Sequence, residues 1–214
     1  MHDGRGIDDG AAQAGGEASA DAHLREQRLG GETLYAGGFV ELHRDLVRLP
    51  DGQQATREYI VHPGAVAVVP LLDDGRIVLV RQYRYPVAKV LVEFPAGKRD
   101  AHESTLQCAM RELREETGYT ALEWAWGGAI HNAAAYSSES IWIWFARGLR
   151  AGAAEPEQGE FVETVTLSAA ELEAFELRGD LPDVKTQIGL HWLQSWRAGR
   201  RALTWLAAED AAGL

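Results

Sequence analysis

Residues 97–119 constrain this chain more than any other stretch. Gly97 is followed after five residues by Glu103 and, after seven more, by Arg111-Glu112-Leu113-Arg114-Glu115-Glu116-Thr117-Gly118-Tyr119. Leu106, Ala109, Met110 and Leu113 step by three and four, which predicts a helix over residues 104–117 closed by Gly118. On that helix Glu112 and Glu116 lie one turn apart, and Glu115 falls on the same side. Like charges on one stripe repel, so the stripe is either a solvated face or a seat for a cation. Hard divalent cations take carboxylate oxygens, and Mg²⁺ is held by a few carboxylates together with substrate phosphates. The frame around the helix favours the second reading. Gly97 follows a strand ending at Pro95 and lets the main chain bend, so that the Ala96 carbonyl can face a metal. Arg111 can reach Glu103 or Glu115 and hold the carboxylates in place.

The rest of the chain supplies short strands and two more helices. Gly37-Gly38 reads as a turn, residues 39–49 and 56–61 as strands, and Pro50-Asp51-Gly52 as the hairpin between them. A sheet of two or three such strands is marginal alone and needs a surface to pack against. Residues 65–72 and 76–82 flank a second hairpin at Asp73-Asp74-Gly75; residues 91–94 form a strand, and 96–103 a loop. Ile141, Ile143 and Phe145 alternate with Trp142 and Trp144, a strand with bulk on both faces, where packing is favoured over ligand stacking. After a Gly/Glu-rich loop over residues 151–160, residues 161–167 read as a strand. Ser168 and Glu171 form a capping box that opens a helix. A last helix spans residues 183–196, with Val184, Ile188, Trp192 and Trp196 four apart. The order β-β-β-α-β-β-α-α predicts mixed α/β layers rather than a doubly wound parallel sheet.

Composition narrows the function classes. The 214 residues suffice for one core with a small accessory element. A formal charge of −11 without a basic cluster excludes a duplex-binding face. An anionic substrate then requires local cations from metal ions and a few placed arginines. No apolar run approaches the ~20 residues of a membrane helix, and no partner membrane is expected. Residues 1–22 carry no secretory signal pattern and are expected to be a disordered tail, with the protein in the cytoplasm. Cys108, alone of its type, reads as a packed core thiol.

The 97–119 stretch resembles the signature of the Nudix hydrolases, G-x5-E-x7-R-E-U-x-E-E-x-G-U with U bulky and apolar. All seven fixed residues match, and Tyr119 is an aromatic variant of the last position. At roughly 5–7% usage per residue type, seven matches arise by chance about once in 10⁸ to 10⁹ windows. The resemblance implies an α/β/α sandwich around a mixed sheet over residues 62–200, with residues 201–214 as a C-terminal tail. It implies Mg²⁺ (or Mn²⁺) held by Glu112, Glu116 and Glu115 with the Ala96 carbonyl, Arg111 supporting them, and hydrolysis of a pyrophosphate linked to a nucleoside.

Five further segments resemble the ADP-ribose pyrophosphatase branch: Arg57-Glu58-Tyr59, His62-Pro63-Gly64-Ala65-Val66, Arg81-Gln82-Tyr83-Arg84, Glu93-Phe94-Pro95-Ala96-Gly97 and Asp183-Val184-Lys185-Thr186. By that resemblance residues 23–61 form an N-terminal antiparallel β element that packs on or swaps with a partner in a homodimer. ADP-ribose is the expected substrate, giving AMP and ribose 5-phosphate. The branch's S-P-G-x-S-x-E segment departs here to His131-Asn132-Ala133-Ala134-Ala135-Tyr136-Ser137-Ser138-Glu139, keeping the Glu but not the Pro and Gly. That departure brings in GDP-mannose or another nucleotide sugar as the alternative substrate. Arg57 and Arg84 read equally as surface arginines or as guanidinium forks on phosphate, with Glu139 in the pocket. Phe39 can stack on the base or pack as a strand residue.

Look-alike enzymes complete the site with an acidic residue from a mobile loop, as general base or extra metal ligand. Glu160 is the first choice here and Glu157 the second; Glu155 and Glu163 are further loop acids, and Gln158 is a poor base. A non-catalytic Nudix sensor would carry a broken signature and a DNA-binding appendage, whereas this signature is intact.

Overall fold

A computed structural model describes residues 20–211. The expected tail over residues 1–22 lies outside them apart from residues 20–22. Three strands, β1 (Gln27–Ala36), β2 (Glu41–Arg48) and β3 (Gln54–Val61), form an antiparallel sheet in that order. Gly52, at φ +86°, turns the chain between β2 and β3 where the Pro-Asp-Gly signal placed a hairpin. β1 was not legible in sequence, because Gly30-Gly31 breaks its β pattern. Gly31 is there for space: a β-carbon on it would stand 1.9 Å from an Asp45 carboxylate oxygen. The far end of β3 is stitched to residues 136–138. Ile60 N–H donates to the Tyr136 carbonyl at 2.8 Å, Ser138 N–H to the Ile60 carbonyl at 2.9 Å, and His62 N–H to Ser138 Oγ at 3.0 Å.

The second sheet holds β4 (Ala65–Leu71), β5 (Ile77–Arg84), β6 (Lys89–Glu93), β7 (Ala96–Lys98), β8 (Thr120–Ile130), β9 (Ile141–Arg150), β10 (Val162–Leu167) and β11 (Trp205–Ala207). Its order is β10-β5-β4-β9-β8-β11, with β6 against β5 and β7 against β4. β4 and β9 run parallel while their other pairings are antiparallel, so the sheet is mixed. Period-two side-chain alternation sends Val66, Val68, Trp144 and Ala146 to one face, against Leu106, Ala109 and Leu113 of helix α1 (Thr105–Thr117). Ala67, Val69, Ile143 and Phe145 go to the other, against Leu172 of α2 (Ala169–Leu177) and Leu190 and Leu193 of α3 (Val184–Arg197). The result is the α/β/α sandwich with an added N-terminal sheet. Each fully buried Leu, Ile, Val or Phe contributes about 1.5–3 kcal/mol, so the sheet is held from both sides. The packing role of Trp144 is visible: it is buried and donates from Nε1 to Thr105 Oγ1 at 3.3 Å. Among the described residues no helix is long and apolar enough to cross a membrane.

The expected capping box of Ser168 with Glu171 forms, α1 carries another made by Ser104 with Gln107, and Gly118 closes α1 at φ +73°. Three features differ from the sequence reading. Residues 96–98 are a short strand on β4 rather than loop. The deepest face of α3 is Thr186, Gly189, Leu190 and Leu193, not the row 184, 188, 192, 196, because Gly189 lets the helix press on the Phe94 ring. The expected C-terminal tail instead pairs Trp205–Ala207 with β8, then turns through α4 (Ala208–Ala211). Trp205 anchors it, 5.8 Å from the Trp196 ring and under the Arg147 guanidinium at 4.1 Å.

Candidate active site

The acidic helix α1 lies against the turn from β6 into β7. Glu112 and Glu116 are 7% and 1% exposed, so this is not a solvated stripe. The Glu112 carboxylate fills the space beside Gly97, where a β-carbon would lie 2.0 Å from it. Glu116 Oε2 accepts the Ala96 N–H at 2.9 Å, while Oε1 is buried without a hydrogen-bond partner. Burial pushes the Glu116 carboxyl up to about 8; the Ala96 amide opposes this, and the charges of Glu112 and Glu160 add to it. Burial likewise lifts Glu112 to about 7 against the pull of Arg111, with Glu115 and Glu160 raising it further. Arg111 is the strap of the cluster. It bonds both oxygens of Glu103 at 3.0 Å, Glu112 at 2.7 Å, Glu115 at 3.1 Å and the Lys98 carbonyl at 3.0 Å. Cys108 is buried, and burial raises its thiol far above the usual range, in keeping with a core residue.

A cleft of about 250 Å³ opens beside this cluster, lined in part by His62, Arg84, Lys98, Asn132, Glu139 and Lys185. Arg84 does not float free: it forks onto Glu93 at 2.9 and 2.8 Å. Lys185 binds the same Glu93 and also Asp183, which caps α3 through Thr186. Burial works to raise the Glu93 carboxyl, but Arg84 and Lys185 overcome it and hold Glu93 below the usual carboxylate value. Glu139 faces His62 at 3.7 Å. His62 Nδ1 accepts the Gly64 N–H at 3.0 Å, and burial depresses its protonation, so it is a neutral ring with its proton on Nε2. Phe39 is more than half exposed and stands edge-on to His62 at 5.7 Å, at the mouth of the cleft rather than in a core. Arg57 does not line the cleft. Its guanidinium forks onto Glu26 at 3.0 and 2.5 Å on the outer sheet.

Among the loop acids, Glu160 has its Oε1 bonded by Gln82 Nε2 at 3.0 Å, and its charge is felt at both Glu112 and Glu116. Glu163 sits on β10 and is held by Arg81 at 2.6 Å. Glu157 is exposed and offers its carbonyl to the Glu160 amide at 3.0 Å.

The NUDIX domain family matches residues 61–186. The chain belongs to the Nudix family. The nucleoside diphosphate sugar hydrolase N-terminal domain family matches residues 26–60. An ADP-ribose pyrophosphatase of Bacillus subtilis (strain 168) is 37% identical over 175 residues, covering 80% of this chain and 94% of that protein. A methanol dehydrogenase activator of Bacillus methanolicus is 37% identical over 173 residues, with the same coverage of 80% and 94%. A solved ADP compounds hydrolase superposes with a TM-score of 0.74 at 23% identity, covering 83% of this chain and 98% of that one, a likeness of fold. This Nudix chain is thus a hydrolase similar to ADP-ribose pyrophosphatases.

The Nudix helix suits a divalent cation by its donor chemistry. Glu112 and Glu116 present hard oxygens, one of them buried and unpartnered. Among the described residues no group of three or more acidic, His or Cys side chains is already gathered to hold a metal ion. The pair therefore needs further oxygens, from substrate phosphates or from Glu115 and Glu160 once they leave Arg111 and Gln82. Gln82, Glu93, Lys98 and Lys185 received no role from sequence, although three of the matched segments contain one or more of them. A usable signal was Glu93 itself: a carboxylate inside an apolar run must be paired to be buried.

Proposed function

We propose that this Nudix hydrolase cleaves the pyrophosphate of ADP-ribose, releasing AMP and ribose 5-phosphate, with Mg²⁺ (or Mn²⁺) held by Glu112, Glu116 and Glu115 and by the Ala96 carbonyl. The observation that carries the reading is the buried Glu112–Glu116 pair, with its unpartnered oxygen, beside a cleft that contains Arg84 and Glu139. Bound there, the cation would neutralise the diphosphate and lower the pKa of a water molecule. Arg84 keeps N–H donors beyond the two engaged by Glu93 and holds phosphate oxygens. Glu139 accepts hydroxyls of the terminal sugar. Phe39 stands where a base can stack. Glu160, carried on the loop over residues 151–160, takes the proton of the attacking water after leaving Gln82. The ADP-ribose pyrophosphatases among the relatives support the choice of substrate.

A second reading, GDP-mannose or another nucleotide sugar, is favoured by Asn132 in the cleft lining and by the missing Pro and Gly of the 131–139 segment. A panel of nucleotide sugars with Mg²⁺, read by phosphatase-coupled phosphate release, separates the two. The expected result is the highest kcat/KM for ADP-ribose; a higher value for GDP-mannose transfers the function to the second reading. Glu116→Gln should fold yet lose kcat by orders of magnitude, because a neutral amide binds Mg²⁺ poorly. Retention of more than about a tenth of kcat, equivalent to ~1.4 kcal/mol, would sink the metal assignment.

A further inference from the structure

We propose that Lys98 is a substrate-binding residue whose ammonium holds a phosphate oxygen of the diphosphate; the assignment rests on the nucleotide-sugar reading above. It follows from accounting for every charge in the cleft. The lining contains three cationic side chains, Arg84, Lys98 and Lys185. Arg84 is engaged by both oxygens of Glu93, and Lys185 by Glu93 and Asp183, so two cations face two carboxylates and their charges cancel. Lys98 has no carboxylate within ion-pair distance among the described residues, although it lines the same cleft. Its Nζ instead rests over the Phe39 ring, 4.8 Å from the centroid.

The anionic side is equally uneven. Glu139 has only His62 opposite it, and that ring is neutral, with Nδ1 occupied by the Gly64 amide. The cleft thus presents one uncompensated cation and one uncompensated carboxylate, not paired with each other. Both groups flank His62, Lys98 through the Phe39 ring and Glu139 directly, so a ligand that satisfies both carries an anionic group close to hydroxyl donors, as the phosphate and sugar of a nucleoside diphosphate sugar do. Lys98 also follows Gly97 directly, and its carbonyl is bonded by Arg111, so its backbone is tied to the strap of the acidic cluster. The Lys98 backbone thus borders the acidic cluster, while its ammonium stands at the mouth beside Phe39, within the reach of a flexible side chain from either place. The Phe39 contact parks a flexible side chain at the mouth and lowers the entropy lost when phosphate arrives.

The test compares Lys98→Met, Lys98→Arg and Phe39→Leu with the wild type. Steady-state kinetics with ADP-ribose are read beside calorimetric binding of its non-hydrolysable analogue with a methylene group in place of the bridging oxygen. Loss of a charge-assisted bond made equally in ground and transition states should raise KM and the analogue's Kd about tenfold or more in Lys98→Met, with kcat nearly unchanged. Lys98→Arg should restore both, and the rise of KM with added salt should be shallower in Lys98→Met than in wild type. Were Lys98 only a prop for Phe39, Lys98→Met would keep the wild-type salt dependence and match Phe39→Leu; that result overturns the proposal, as does KM and Kd within about twofold of wild type. If the wild type binds the analogue through Lys98 but turns over no nucleotide sugar, the proposed function fails and the Lys98 assignment stands. If the wild type does not bind the analogue, both fall.

Discussion

The Glu112 carboxylate occupies the place of a missing side chain at Gly97: a β-carbon there would lie 2.0 Å from its carboxyl carbon. The obstacle is the end of a side chain, which can swing away, so Gly97→Ala should leave the fold intact and displace the carboxylate. A misplacement of about 1 Å at a reacting centre costs on the order of 10²-fold in rate. Gly97→Ala should show that loss in kcat with a melting temperature close to wild type. A variant of wild-type activity would show that Glu112 need not sit against residue 97.

Glu160 is already held towards the acidic pair by Gln82. Glu160→Gln should lower kcat by roughly 10²–10⁴ with little change in KM, the usual worth of a general base. Glu163→Gln should remain active, because Arg81 holds that carboxylate on β10. The three Gln variants at 157, 160 and 163 are best assayed side by side. An active Glu160→Gln with a dead Glu157→Gln moves the role to Glu157, and three active variants move the base to α1.

The N-terminal sheet leaves Leu29, Leu34, Tyr35, Leu42 and Leu46 more than a third exposed on β1 and β2. Sheets this small are marginal without a partner surface. Light scattering should therefore find two chains per particle, with residues 23–61 buried against the neighbour. Arg57→Ala should then raise KM, if Arg57 leaves Glu26 for the neighbour's cleft. An active particle with the mass of a single chain would count decisively against the arrangement.

Glu93 gives the chain an acid-sensitive element. Its folded-state value lies below that of the unfolded chain, so its contribution to stability is complete above the unfolded carboxylate value. The contribution is lost as pH falls through the folded value. Glu93→Gln should cost about 3 kcal/mol at neutral pH, since Arg84 and Lys185 lose their shared partner. Melting curves between pH 7 and strongly acid pH should converge for variant and wild type at the acid end. A constant gap would place the destabilisation in packing rather than in charge.

The acidic helix, its closing Gly118 and the hairpins at Pro50-Asp51-Gly52 and Asp73-Asp74-Gly75 were legible because local chemistry decides them. β1 and β8 were not, for one shared reason. Both carry a Gly-Gly pair, which erases strand propensity, and the requirement for glycine comes from distant partners. At β8 a β-carbon on Gly127 would lie 2.7 Å from the Ile143 carbonyl oxygen, and one on Gly128 2.9 Å from the Trp192 ring. The same limit applies to the site. Glu112, Glu115 and Glu116 share one helix and one spacing, whereas the contacts of Gln82 with Glu160 and of Glu93 with Lys185 join residues that only the tertiary fold brings together.

The seam between β3 and residues 136–138 has a consequence for how the chain acquires its function in time. His62, which lines the cleft, and Ser138, next to Glu139 in the same lining, are bonded across 76 residues of sequence. Closing a loop of that length costs entropy that local helices and short hairpins largely avoid. The signature helix can be structured from local contacts, while the cleft waits for this closure together with the equally distant pairing of Ala65 on β4 with Ile141 on β9. A partly folded chain would then hold its acidic helix without a formed cleft, and ligand present during refolding should act only on steps that follow this closure.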